Sequence, residues 1–132
     1  MEISMWKIKW DASPEATVQT IDELDRQLDR LQQDCIAAPV LATVELLSSG
    51  DSLSIGLGRA ESVLNFVSGS GDPPYWSSVG ERKEDDAVGF NFMGELSEIP
   101  LRHLIPIDMA RQAVRDFVQS GKLSARVKWE ES

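Results

Sequence analysis

Residues 92–129 read FMGELSEIPLRHLIPIDMARQAVRDFVQSGKLSARVKW, and their punctuation decides the fold: strand, proline-bounded connection, helix, glycine stop, strand. Val88, Phe90 and Phe92 alternate on the way in, so a strand with one buried face runs to about Gly94. Pro100 and Pro106 bracket Leu101 to Ile105, and each holds the residue before it in extended geometry, which keeps this connection out of helix. Asp108 follows, able to cap the next helix or to place negative charge near its start. Ala110, Ala113, Val114, Phe117 and Val118 then recur on one face and predict a helix over about residues 107–120. Gly121 is its expected stop, because glycine takes the left-handed conformation past a helix end without a Cβ penalty. Val127 and Trp129, alternating with Arg126 and Lys128, predict a closing strand.

Upstream, Trp6, Ile8 and Trp10 alternate with Lys7 and Lys9, the period of a strand with one buried face, expected at an edge of the sheet. Ser13 as cap and Pro14 in the first turn predict a helix over about residues 14–36. Its apolar stripe is Val18, Ile21, Leu24, Leu28, Leu31 and Cys35. Asp22, Asp25, Arg26, Asp29, Arg30 and Asp34 fall on its other faces and read as a solvated ion-pair lattice. After Pro39 the period changes to two: Val40, Ala42, Val44 and Leu46 oppose Leu41, Thr43 and Glu45. Turn residues between Ser48 and Ser52 lead to a second alternating run, Leu53, Ile55 and Leu57, so the pair predicts a hairpin. Gly56 and Gly58 lack the third glycine of a phosphate loop and lie inside an alternating strand, where they serve as positions without side chains. Val63, Leu64, Phe66 and Val67 supply a further strand. The expected fold is α+β: a mostly antiparallel sheet of about six or seven strands packed with two helices, in a single domain over residues 1–132.

At 132 residues such a chain buries enough apolar surface to fold without disulfide or metal. Its lone Cys35 cannot form an internal disulfide and reads as a small buried hydrophobe; no apolar run approaches the length of a bilayer span. The first ten residues carry Glu2, Lys7 and Lys9 within the apolar pattern, unlike a signal peptide, so a cytoplasmic location is expected. Thirteen basic against 22 acidic residues leave a net charge of -9, which argues against direct binding to a nucleic-acid backbone. That acidity is spread along the chain. It serves solubility on its own, and it would also attract a basic partner.

Chemistry is sparse. One histidine, His103, one cysteine and scattered carboxylates without spaced pairing make no acid–base pair, and no cofactor or metal is expected. The least regular stretch is Gly69 to Gly89, and loops of such length often carry function. Tyr75 and Trp76 sit within it, either as a short strand packing its aromatics on the sheet or as partner contacts. Glu81, Glu84, Asp85 and Asp86 form an acidic cluster diluted by Arg82 and Lys83, without the oxygen-ligand spacing of a calcium loop.

The series Phe92-Met93-Gly94-Glu95, Ile99-Pro100, Leu104-Ile105-Pro106, Ala110, Ala113-Val114, Phe117, Gly121 and Val127-x-Trp129 resembles the first immunity protein family of bacterial polymorphic toxin systems. The resemblance covers roughly residues 40–130 by element order and is most specific from Phe92 onward. Lys122, Leu123 and Ser124 depart from it, since family members commonly place a proline two or three residues after the helix-stopping glycine. The resemblance implies a small cytoplasmic α+β protein with no catalysis of its own, which protects the producing cell by binding a toxin, frequently a nucleic-acid deaminase. On that implication, Asp72, Tyr75, Trp76, Glu81, Glu84, Asp85 and Asp86 are the candidate partner-binding residues. Carboxylates would stand where substrate phosphates lie in the toxin's basic cleft. An adaptor or chaperone for a secreted effector is the alternative, and it would release its client before the client acts. The glycines, prolines and tryptophan of the series itself read as backbone and core, supporting the fold rather than the interface.

Overall fold

In the computed structural model, which describes residues 5–10 and 15–131, Trp6 and Ile8 are buried on strand β1 (Trp6–Lys9). This strand is not at the edge. Glu15–Val18 turns back as β2 and pairs antiparallel with it, Val18 opposite Trp6 and Glu15 opposite Lys9, so β2 takes that edge. Helix α1 (Ile21–Asp34) therefore starts at Ile21 and not near residue 14. β-Branched Thr17 and Val18 suit a strand, and pairing with β1 buries Val18 where a helix would only have extended its stripe. The working cap is Thr20, whose side-chain oxygen accepts the Glu23 amide at 3.1 Å, the Thr-x-x-Glu capping pattern. Ser13 and Pro14, expected to start this helix, lie outside the described residues.

The predicted hairpin forms as β3 (Val40–Leu46) and β4 (Ser52–Leu57). There follow β5 (Glu61–Ser62), β6 (Leu64–Val67), β7 (Trp76–Val79), β8 (Ala87–Phe92) and β9 (Glu95–Pro100). A 3₁₀ turn over Leu101–His103 leads into β10 (Ile105–Pro106), helix α2 (Ile107–Ser120) and β11 (Lys128–Glu131). Among the described residues nine strands join in one sheet, ordered β11-β7-β6-β4-β3-β1-β2, with β8 added to β3 and β9 to β8. β5 and β10 form a separate short pair. Every pairing is antiparallel except the single parallel contact of β8 with β3, where Asn91 lies beside Val40. The fold is α+β as expected. The sheet exceeds six or seven strands because β2 comes from a segment read as helix and β9 from one given no element between the strand ending near Gly94 and the connection at Leu101 to Ile105.

Helices α1 and α2 cover one sheet face. Leu24, Leu28 and Leu31 of α1 and Ala110, Ala113, Val114, Phe117 and Val118 of α2 join Ala42, Val44, Leu53, Ile55 and Leu64 in one buried cluster, and Phe117 meets Phe66 edge-on at 6.1 Å. α2 spans the predicted residues, and Gly121 stops it at φ 74°, its amide donating to the Phe117 carbonyl. Arg111 and Arg115 of α2 reach across to α1: Arg115 Nε donates to Asp25 Oδ1 at 2.9 Å, and Arg111 pairs with both Asp25 and Asp29. Asp25 and Asp29 thus join the two helices rather than belonging to a solvated lattice on one.

The opposite face is covered only at one end, where Leu41, Val63, Phe90, Leu101 and Leu104 form a second cluster. Leu41 and Gly56 are register partners, and Phe90 lies directly on Gly56, where a Cβ would come within 2.7 Å of the ring. Only part of β8 is covered: Phe90 is fully buried, but Phe92, expected on the same buried face, is 39% exposed because the second cluster does not extend to it.

α1 is seated on the sheet at its C-terminal end. The Gln32 side chain accepts the Gly58 amide and donates to the Arg59 carbonyl, both at 2.8 Å. Gly58 has φ +104°, and a Cβ there would collide with the Cys35 carbonyl. Gly58→Ala is expected to lower the unfolding free energy by about 1–3 kcal/mol, read from the urea midpoint at constant slope. An unchanged midpoint would show that α1 does not bear on this strand end.

Candidate functional site

Strand β7 organises the candidate residues by lying between β6 and β11, with an irregular loop leaving each of its ends. Asp72 and Tyr75 belong to the loop before it, and Trp76 is its first residue, half-buried opposite Phe66 and Glu131. Glu81, Glu84, Asp85 and Asp86 follow its far end. At about 3.3 Å per strand residue, the two groups stand some 15–20 Å apart, as two patches rather than one. Trp76 thus lies on a strand.

The first loop is stapled by its own polar groups. Tyr75 donates its hydroxyl to the Gly71 carbonyl at 2.7 Å, the Gly71 amide donates to the Ser68 carbonyl, and the Gly69 amide donates to Asp51 Oδ1 on the β3–β4 turn. The Asp72 carboxylate itself has no partner among the described residues and faces solvent.

The second loop borders a cleft of about 440 Å³ that no single segment announces. Val79, Leu104, Ile105 and Met109 give it an apolar lining, and Glu61, Glu81, Arg82, Arg126 and Lys128 are its charged lining residues. Its depth depends on Gly80: a Cβ there would collide with the Leu104 carbonyl, so β7 passes against the turn before β10 backbone to backbone. His103, buried in that turn, donates from Nδ1 to the Ser78 carbonyl at 2.8 Å, while Ser78 Oγ donates to the His103 carbonyl. His103 Nε2 lies 3.3 Å from Glu130, which also pairs with Arg102. The histidine thus serves to lash turn, β7 and β11 together.

Charges around the cleft are unequally occupied. Arg82 sits between Glu61 at 2.7 Å and Glu84 at 3.3 Å. Backbone amide hydrogen bonding and then Arg82 hold the Glu84 carboxyl below its ordinary range, and those two partners raise Arg82. Glu84 keeps its charge but spends it within the chain. Asp86 accepts the Ala87 amide at 2.8 Å and so caps the start of β8. Glu81 and Asp85 have no partner among the described residues and remain available. Of the basic residues, Arg126 is held by Asp116, whose carboxylate also accepts the Ser124 hydroxyl at 2.6 Å. Ser124, then Gln112 and Arg126, lower the Asp116 pKa against the opposing effect of desolvation.

Cys35 caps α1, and burial together with the Asp34 charge pushes its thiol up, away from a ready thiolate. Among the described residues no group of three His, Cys, Asp or Glu side chains is placed to hold a metal ion, and no helix is long and apolar enough to cross a membrane. Glu61, Met109 and the pair Arg126 and Lys128 escaped sequence reasoning because they come from three separate segments. The one local hint was Gly80, a glycine closing a strand.

What the molecule presents is surface: two polar loops, a cleft and a projecting hairpin on an α+β scaffold, the equipment of a small binding protein. The family model described as immunity protein Imm1 matches residues 12–131, and the chain belongs to that family. It is thus an immunity protein directed against a toxin. A search of curated proteins finds no match.

Asp116 tests the seating of Arg126 at the cleft. Because its carboxyl is depressed in the fold, its contribution is complete above the ordinary aspartate value of about 3.9 and is lost as pH falls below it. The stability difference between the native chain and Asp116→Asn is expected to shrink from pH 6 to pH 3, measured by urea unfolding at both. A difference independent of pH would mean that the Ser124 and Arg126 contacts do not persist in solution.

Proposed function

We propose that this chain, acting as one cytoplasmic domain, binds and neutralises a cognate toxin that is a nucleic-acid deaminase, by occluding the toxin's basic substrate cleft. The observation that carries this reading is the set of unspent carboxylates: Asp72, Glu81 and Asp85 lack intramolecular partners among the described residues. Family membership supplies the toxin, and a net charge of -9 favours a basic one. Asp72, Tyr75 and the half-buried Trp76 contact it from one end of β7. Glu81, Glu84, Asp85 and Asp86 contact it from the other end, Glu84 and Asp86 contributing field while Glu81 and Asp85 pair directly. Carboxylates held at two separated positions suit a groove that binds a strand of phosphates, and excluding substrate from it requires no chemistry from this chain.

The combined variant Asp72→Lys, Glu81→Lys, Asp85→Lys, Asp86→Lys tests the reading against the toxin encoded beside this gene. Association is expected to slow by about 10-fold or more at low salt, with a flattened salt dependence and loss of protection in a deaminase assay, at unchanged circular dichroism. Full-strength binding and protection by this variant would remove these loops from the interface. A native chain that binds the toxin without suppressing its activity would make the protein a carrier instead.

A further inference from the structure

We infer that the tip of the β8–β9 hairpin is the apolar anchor of the toxin interface and enters a basic-rimmed groove with apolar, base-stacking walls. This inference rests on the reading that the partner is a nucleic-acid-acting toxin.

The hairpin is paired over six positions, from Ala87 with Pro100 to Phe92 with Glu95, and among the described residues it meets the main sheet by strand pairing only where Asn91 lies beside Val40. It is fastened as far as Asn91: Phe90 fills the second cluster with Val88 and Ile99 packed against it, and Arg59 donates to the Gly89 carbonyl while lying 5.4 Å from the Phe90 ring centre. Its tip is not. Phe92, Met93 and Leu96 are 39%, 43% and 68% exposed, and none belongs to either buried cluster. The fold thus uses Phe90 and leaves three large apolar side chains just beyond it unused.

Two details set this apart from scattered surface hydrophobics. Met93 and Gly94 form the turn with φ 53° and 87°, a geometry that Asn-Gly or Gly-Gly adopts readily and that methionine resists. An apolar side chain is kept at the apex against local preference. Leu96 leans across to Gly89, where a Cβ would stand 2.7 Å from its Cδ1, so the missing side chain of Gly89 seats Leu96 in place although it remains mostly in solvent. The apolar tip is pre-organised, which reduces the ordering cost of binding.

Charge selects the partner. Residues 84–100 contain five acidic residues and no lysine or arginine, with Glu95 beside the tip and Glu98 further along β9. A rigid ribbon carrying carboxylates along its length and an aromatic ring with two long apolar side chains at its end matches a groove built for single-stranded nucleic acid, which combines a positive track with surfaces that stack bases. A purely apolar partner surface would leave those carboxylates unpaired.

The test uses the full chain and its purified cognate toxin. The variant Met93→Asn, Leu96→Ser keeps Phe90 and gives the turn a residue it favours, so thermal stability should hold or rise. Its complex with the toxin is expected to dissociate about 30-fold faster or more, with the salt dependence of association unchanged. The loop charge-reversal variant should instead slow association. Native dissociation rates for the stable hairpin variant would overturn the anchor and leave the loop reading standing, whereas fast dissociation of this variant beside an unaffected loop variant would establish the anchor and remove the loops. A native chain that fails to bind the toxin sinks both. If sedimentation shows the native chain to be a dimer that the hairpin variant abolishes while toxin dissociation is unaltered, the tip faces a second copy and the inference fails.

Discussion

Leu41 and Ala42 are neighbours on β3, point to opposite faces of the sheet, and are both buried. The rest of the architecture answers that demand. One face must be closed along the whole of β3 and β4, and two amphipathic helices do so side by side. The other must be closed only at the start of β3, and there β8, folding over Gly56, and the turn at Leu101–His103 suffice. Beyond that point the second face is wet, with Thr43 bonded to Ser54 and Lys9 paired with Glu45. A sheet half covered on one side has a boundary, and from that boundary the hairpin emerges. The turn that closes the second cluster also carries His103 against β7 and Leu104 into the cleft, so core and candidate interface share a hinge of backbone.

Ion pairs divide into those that join elements and those that do not. Arg111 and Arg115 draw the acidic side of α1 onto α2, Arg126 is drawn to Asp116, and Arg82 joins the loop after β7 to β5. Arginine suits these tasks because its planar fork satisfies two acceptors at once. With these bases committed, excess acid is left where the loops meet solvent. On the loops flanking β7, Asp72, Glu81 and Asp85 are left without a base among the described residues.

Period and punctuation made much of this legible. The β3–β4 hairpin, the residues and stop of α2, and the alternation of β1 all follow from the sequence with no tertiary knowledge. The start of α1 did not, because Val18 fits a helical stripe and a strand face equally, and only β1 alongside decides between them. Thr20 and Glu23 carried the correct signal in plain view, masked by an equally good serine and proline upstream. β9 was missed for a related reason: Pro100 marks extended backbone, and extended backbone becomes a strand only when a partner is beside it. For the site, side-chain chemistry identified polar loops but could not show that β7 holds them apart, nor that Arg82 consumes Glu84. Phe92 shows the limit most clearly, since its alternation with Phe90 predicts burial and the covering layer simply ends one step too soon.

The separation of buried clusters from the proposed binding segments bears on how such a molecule changes over generations. None of residues 68–75, 81–86 or 92–96 belongs to either cluster, and substitutions at such surface positions typically shift stability by no more than about 0.5 kcal/mol. Apart from Gly69, Gly71 and Gly94, which hold turn backbone, and Tyr75, Arg82 and Asp86, which bond within the chain, these stretches are open to drift. A lineage can therefore rewrite the face it shows its adversary through a series of folded intermediates, each viable, keeping pace with an opponent that is itself changing.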